Sequence, residues 1–96
     1  MFLGSYEFDG QPAELLAAYE RLLQNFPPDS LDLHVSVVRD DGITVFDACP
    51  SRAAFDDFSQ SPEFLGAVES AGLPRPSRVA ALGEIHRAQL RQPVHP

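Results

Sequence analysis

The apolar residues of this chain recur with two different spacings, and the change of spacing marks its elements. Near-alternation of apolar and polar residues predicts strands over residues 2–8 and 78–88 and a hairpin over residues 31–49. A 3.6-residue spacing predicts a helix that begins near Pro12, a residue suited to a first helical turn, and ends before Pro27.

A second helical region follows the hairpin and contains a proline. Phenylalanine, leucine and valine residues form its buried stripe, and Ser51 is a suitable N-cap. Pro62 lacks the amide hydrogen and disfavours helix at the residue before it. We therefore expect two helical segments, the second capped by Ser61 and ending near Gly72.

The register of the hairpin decides which of its side chains share a face. We predict the turn at Asp41-Gly42, because this pair tolerates the positive φ angles of a type I′ turn. One semi-polar face then holds three pairs: His34 with Cys49, Ser36 with Asp47, and Val38 with Val45. The other face reads as a conventional core face, with Leu33, Val35, Val37, Phe46 and Ala48. The semi-polar face predicts a cavity with Val38 and Val45 among its apolar walls.

The order strand, helix, strand, strand, helix, strand predicts an α+β fold. It is the ferredoxin-like βαββαβ arrangement with a four-stranded antiparallel sheet. We place one domain at residues 1–88 and a C-terminal tail at residues 89–96. Two helices cover only one face of such a sheet. If the core face of the hairpin meets them, the semi-polar face stays open and a partner sheet would cover it.

Composition and charge remove several classes of function. The net charge of −7 argues against a nucleic-acid partner, and a chain without lysine has neither Schiff-base nor P-loop chemistry. Because Cys49 is the only cysteine, the chain forms no internal disulfide and no zinc knuckle. No apolar run reaches the length of a membrane helix, so we expect a cytoplasmic protein with no membrane partner.

Three segments carry a resemblance to a known superfamily. The opening Phe2-Leu3-Gly4-Ser5-Tyr6, the hairpin, and the Ser61-Pro62-Glu63-Phe64 step after a phenylalanine-bearing helix resemble the dimeric α+β barrels, especially their small antibiotic-biosynthesis monooxygenases. The resemblance implies a homodimer of ferredoxin-like protomers that pack through their open sheet faces. The superfamily also contains polyketide cyclases, isomerases and haem-degrading enzymes, so the resemblance implies fold more than activity. The chain has no tryptophan and a single asparagine, Asn25, so the haem-degrading pattern is not matched and we expect no cofactor.

Two histidines and two carboxylates are candidates for acid–base chemistry. His34 could act as a general base or acid with Asp47 to orient it, or it could be a structural histidine with one hydrogen bond. Glu84 and His86 share a side of the last strand with Ala80. If that side faces the cavity, they could join His34 in a base–acid set or in a two-histidine, one-carboxylate metal site. We predict no metal, because no compact ligand motif supports one.

The remaining candidates would contact a substrate. Cys49 could be a nucleophile paired with His34, or a buried small hydrophobic residue. Tyr6 and Ser36 could donate hydrogen bonds to a substrate oxygen, whereas the phenylalanines of the second helical region are best explained as core.

These observations leave two principal interpretations of function. The first is a small cofactor-independent enzyme, a monooxygenase, cyclase or isomerase, that acts on an aromatic or polyketide-like molecule. The alternative is a non-catalytic dimeric barrel that serves as a ligand-binding or protein-interaction module. A third interpretation is that the open sheet face meets a different protein, which the acidic chain would bias towards a basic partner.

Overall fold

The described part of the chain forms a four-stranded antiparallel sheet with three helices. A computed structural model describes residues 1–26 and 32–91. Their elements are β1 (Phe2–Asp9), α1 (Pro12–Leu23), β2 (His34–Arg39), β3 (Gly42–Cys49), α2 (Arg52–Ser59), α3 (Pro62–Ala71) and β4 (Arg78–Glu84). The strand order is β2-β3-β1-β4, and every neighbouring pair is antiparallel. The predicted α+β class is confirmed, and the topology is compatible with the ferredoxin-like arrangement.

The predicted break in the second helical region is present, and two serines explain it. The hydroxyl oxygen of Ser51 accepts from the amide of Ala54 at 3.1 Å and caps α2. Ser61 caps α3 by accepting from the amide of Phe64 at 3.1 Å, and its own hydroxyl donates to the carbonyl of Phe58 at 2.8 Å. Ser61 therefore satisfies backbone groups at the end of one helix and the start of the next.

The hairpin differs from its predicted register by two residues. Arg39 pairs with Gly42, so the loop is Asp40-Asp41, and neither residue has a positive φ angle as a type I′ turn requires. Gly42 instead allows the backbones of β3 and β1 to lie close together, since a Cβ there would lie 2.1 Å from the carbonyl oxygen of Phe8 on β1. The corrected register places His34 opposite Asp47 rather than Cys49. A shift of two residues keeps the alternation, so the predicted set of side chains still shares one face.

The assignment of the two faces to core and exterior was wrong. All three helices pack on the face that carries Tyr6, Val45 and Asp47, which makes the semi-polar face of the hairpin the interior one. Val35 and Val37, predicted to be core, are each 42 % exposed on the opposite face. Branched apolar residues occupy both faces of β2, so apolarity alone does not distinguish them.

Gly4 provides the decisive difference between the two faces. It lies opposite Asp47 on the interior face, and a Cβ at this position would lie 2.0 Å from a ring atom of Phe55 in α2. The phenylalanine ring thus occupies the space that a side chain at residue 4 would fill. Only the interior face of β1 has such a gap, and α2 packs into it.

The last strand is shorter than predicted and contains a bulge. It ends at Glu84 rather than at residue 88, and its register shifts opposite Leu3 and Gly4. Ala80 pairs with Ser5, whereas Glu84 pairs with Phe2, whose side chain belongs to the core. Ala80 and Glu84 therefore do not share a face as strict alternation predicted, because one extra residue reverses the alternation.

Some expectations fall outside the structure. The first helix, predicted to end before Pro27, ends at Leu23. Residues 27–31 and 92–96 lie outside the described residues, so most of the predicted tail is not addressed. The boundary at residue 88 stays a prediction. Within residues 1–26 and 32–91, no helix has both the length and the apolar character needed to cross a membrane.

Candidate functional site

A cavity of about 290 Å³ lies between the helices and the interior face of the sheet. Six aromatic side chains form much of its wall: Tyr6, Phe8, Tyr19, Phe26, Phe58 and Phe64. The polar groups among its lining residues are few, and they include His34, Asp47 and Asp32. Apolar walls with a few polar groups are typical of small-molecule sites, and the volume is near the lower end of their range. The space suits one small molecule.

A hydrogen-bonded chain of three side chains lies at this cavity. The β2–β3 register brings Nδ1 of His34 to the carboxylate of Asp47, and Tyr19 on the buried stripe of α1 brings its hydroxyl to Nε2 of the same ring. The rings of Tyr19 and His34 are nearly parallel, with an interplanar angle of 4° and centroids 5.5 Å apart.

The chemistry of the three groups gives the direction of each hydrogen bond. An ionised carboxylate only accepts, so Nδ1 of His34 carries the proton that Asp47 accepts. In the neutral imidazole Nε2 is then the acceptor, and the Tyr19 hydroxyl donates to it. The side chains of His34 and Asp47 are only 21 % and 10 % exposed. Asp47 thus selects the tautomer in which Nε2 can receive a proton.

The phenol of Tyr19 is protonated at neutral pH, and burial makes its proton harder to remove. It raises the pKa of Tyr19 to about 12, and the carboxylates of Asp47 and Glu20 add to the rise while the hydroxyl of Ser36 opposes it. Tyr19 is therefore a hydrogen-bond donor at this site rather than a standing phenolate.

The hydroxyl of Tyr6 is buried without a partner. The residue is 2 % exposed, its ring packs against those of Phe55 and Phe64 at centroid distances of 5.6 and 5.0 Å, and its oxygen has no hydrogen-bond partner among the described residues. Burial raises its pKa, and the negative charge of Asp47 acts in the same direction. An unsatisfied buried hydroxyl costs about 1–3 kcal/mol, which an oxygen atom of a ligand in the cavity would recover.

Cys49 lines the cavity but does not pair with His34. Its partner in the sheet is Phe2 on β1. In the observed register Asp47, not Cys49, lies opposite His34. Burial raises the pKa of the Cys49 thiol, with Asp47 and Asp32 adding to the rise. A thiol that holds its proton is a poor nucleophile, so the environment favours the alternative of a small buried residue.

Glu84 and His86 do not join the site. Strands β2 and β4 are the two edges of the sheet, so three strand spacings, about 14 Å, separate His34 from Glu84. The Glu84 carboxylate instead lies 3.4 Å from the amino terminus of Met1, and His86 is exposed beyond the end of β4. Glu84 and His86 therefore do not form a base–acid set with His34, contrary to that prediction. Within the described part of the chain, no group of three His, Cys, Asp or Glu side chains could hold a metal ion.

The other predicted contact residues divide between cavity and surface. Val45 is buried and lines the cavity, whereas Val38 is 56 % exposed at the edge of the sheet. Ser36 is exposed beside the Tyr19 hydroxyl. The sequence reasoning missed Tyr19, although a signal existed: a tyrosine on the buried stripe of a helix needs a partner for its hydroxyl, and His34 was available.

Comparisons with known proteins add no relative. No family model matches the chain, and neither a curated protein nor a solved structure gives a significant match.

Proposed function

We propose that this chain is a small cofactor-independent enzyme that removes a proton from an aromatic or polyketide-like molecule. The observation that carries the proposal is the His34–Asp47 pair at an aromatic-walled cavity of about 290 Å³. The reaction class is that of a cyclase, an isomerase or a monooxygenase whose first step forms a phenolate or an enolate. The resemblance to the dimeric α+β barrels supports the same class.

The mechanism assigns a separate role to each polar group. The proton leaves the substrate and reaches Nε2 of His34, and the carboxylate of Asp47 stabilises the imidazolium that forms. Tyr6 donates its free hydroxyl to the substrate oxygen on which negative charge develops. A positioned general base contributes about 10²–10⁴-fold to such a rate.

A proton-exchange assay tests this function without knowledge of the natural substrate. 2-Tetralone, a bicyclic ketone with a benzylic α-position that enolises, serves as the probe, and NMR follows exchange of its α-hydrogens with D₂O. The wild type should accelerate exchange, and His34→Gln should lose at least about 100-fold of the acceleration. Asp57→Asn, which changes an exposed carboxylate on α2, is the matched control and should leave the rate unchanged. A wild type that does not accelerate exchange would contradict the proposed base.

A non-catalytic ligand-binding module is the second candidate, and one observation favours it. Tyr19 already occupies Nε2 of His34, so the three polar side chains satisfy one another without a substrate. Saturable binding of 2-tetralone with no faster exchange would support this candidate, because the cavity would then bind without chemistry.

We further propose that two copies of the chain pair through the exterior face of the sheet. No described element covers this face, where Val35 and Val37 are exposed beside the half-buried Phe46. Glu7 and Arg78, 3.9 Å apart on the same face, are two charges that a symmetric partner could pair across the interface. Apolar surface framed by opposite charges suits a second copy of itself.

A pair of charge substitutions on one strand tests the homodimer. Val37→Lys places an ammonium group on the exterior face, whereas Val38→Lys places one on the opposite face of the same strand. By size-exclusion chromatography with light scattering, the wild type and Val38→Lys should be dimers and Val37→Lys a monomer, because burying an unpaired charge is costly. A monomeric wild type would refute the interface.

A further inference from the structure

The hydroxyl of Tyr19 occupies the one nitrogen through which His34 could take a proton. A neutral imidazole has a single acceptor, and with Nδ1 bonded to Asp47 that acceptor is Nε2. The Tyr19 hydroxyl already donates to Nε2, and both residues line the cavity. A hydroxyl group of a ligand therefore cannot reach Nε2 unless Tyr19 leaves. The phenolic oxygen of Tyr19, however, keeps acceptor capacity for a ligand.

We propose that Tyr19 is the residue that meets the ligand hydroxyl and relays its proton to His34, an inference that rests on the function proposed above. The O–H bond of the ligand breaks as its proton bonds to the Tyr19 oxygen, while the original hydroxyl proton of Tyr19 moves to Nε2 of His34. The ligand becomes an oxyanion, the imidazole becomes an imidazolium beside the Asp47 carboxylate, and Tyr19 is a neutral phenol before and after. No oxidant or cofactor enters this step.

The surroundings of Tyr19 require the two proton movements to be coupled. Besides His34, the groups that act on its hydroxyl are Asp47 from β3 and Glu20 on its own helix, whose carboxylates disfavour a negative phenolate, and the hydroxyl of Ser36 from β2, which favours it. Burial also disfavours the phenolate. A free Tyr19 phenolate is therefore too costly to accumulate, and the proton must arrive from the ligand as the other departs to His34.

The same charges define the class of ligand. None of the described residues that line the cavity is an arginine, whereas two of them, Asp32 and Asp47, are aspartates. A carboxylate or phosphate ligand would be repelled and find no cation. Among the described lining residues, the imidazolium formed by the relay is the one positive charge that the site supplies to the oxyanion product. The ligand is thus a neutral phenol or enol that becomes anionic only on reaction.

Nitrogen NMR of the histidine ring and the absorbance of a phenolic probe test the relay together. The probe is 4-nitrophenol, whose phenol and phenolate absorb differently, and 4-nitroanisole has nearly the same shape but no hydroxyl. In the ligand-free wild type, Nε2 of His34 should show the chemical shift of a hydrogen-bonded acceptor. Tyr19→Phe should move that resonance and leave Nδ1 in place. A free-acceptor shift in the wild type would overturn the relay without any variant.

Addition of the probe distinguishes the relay from the proposed base. Wild type should bind 4-nitrophenol as phenolate with His34 doubly protonated, and Tyr19→Phe should lower the bound phenolate fraction at least tenfold while binding 4-nitroanisole as before. Phenolate and imidazolium at wild-type levels in Tyr19→Phe would overturn the relay and leave His34 as the direct base. Phenolate at wild-type levels in His34→Gln would overturn the proposed function as well.

Discussion

Replacing Gly4 with alanine tests the packing that determines which face of the sheet is interior. The added Cβ would lie 2.0, 2.4 and 2.4 Å from three ring atoms of Phe55, whereas carbon atoms in contact are about 3.5–4.0 Å apart. Phe55 is 1 % exposed and packs against Phe2 and Tyr6, at centroid distances of 6.1 and 5.6 Å. The ring must therefore retreat into neighbours that are themselves buried.

The expected loss follows from three contributions. Overpacking a buried site costs about 1–3 kcal/mol, and displacing Phe55 weakens two aromatic pairs of about 0.5–1.5 kcal/mol each. The lower conformational entropy of an unfolded chain with alanine offsets about 0.5–1 kcal/mol, since Gly4 does not have a positive φ angle. Because the two aromatic pairs are weakened rather than lost, we expect Gly4→Ala to lower the free energy of unfolding by about 2–3 kcal/mol, in the lower half of the combined range.

Urea denaturation measures this loss, and a second glycine supplies the control. With an m-value of about 1–2 kcal/mol/M, the midpoint for Gly4→Ala should fall by about 1–3 M at unchanged m. Gly66 lies within α3 and a Cβ there has no neighbour within 4 Å, so Gly66→Ala should raise stability by about 0.5–1 kcal/mol. If Gly4→Ala were as stable as the wild type, the close approach of Phe55 to β1 would be refuted.

Three further outcomes are expected. In urea denaturation, Ser61→Ala should lower the free energy of unfolding by about 1–2 kcal/mol, more than Ser51→Ala, because Ser61 makes two capping bonds. Equal losses in the two variants, or a loss in Ser61→Ala no larger than in Ser70→Ala at an exposed position, would contradict this. Because the pKa of Tyr19 is raised to about 12, the folded chain holds this proton more tightly than the unfolded one, so stability should fall as the pH rises from about 10 to about 12. The fall should be shallower in Tyr19→Phe, and identical slopes would speak against the buried phenol. Iodoacetamide should alkylate Cys49 more slowly in the folded chain than in urea at pH 8, since burial raises the pKa of the thiol; equal rates would contradict a protected thiol.

Local chemistry made part of the fold predictable from the sequence. The order of elements followed from apolar spacing, and the break between α2 and α3 followed from Pro62 and the capping serines. Each of these signals acts within a few residues of the feature it determines. The hairpin register depended on a choice between two adjacent turns, and the turn that formed is set by the contact between Gly42 and β1, which is distant in sequence.

The inversion of the two faces has a different origin. Both faces of β2 carry branched apolar residues, so no property of the hairpin alone identifies the interior one. The choice depends on α2, which packs where Gly4 leaves room for Phe55. The bulge in β4 is likewise a property of the pairing with β1, and it separates Glu84 from the side of the strand that it was predicted to share with Ala80. Contacts between residues distant in sequence determine the interior face and the bulge, and such contacts cannot be identified from a single sequence.

The part of the candidate site that depends on the alternation of side chains along a strand was predictable from the sequence. His34 and Asp47 belong to one face under either register, because a shift of two residues preserves alternation. Tyr19 comes from another element, and only the packing of α1 on the interior face brings it to His34. That inversion is what gives the histidine its chemistry: on the exterior face it would be solvated, whereas on the interior face it lies between a carboxylate and a phenol at an apolar cavity. The error about the faces and the omission of Tyr19 therefore share one cause.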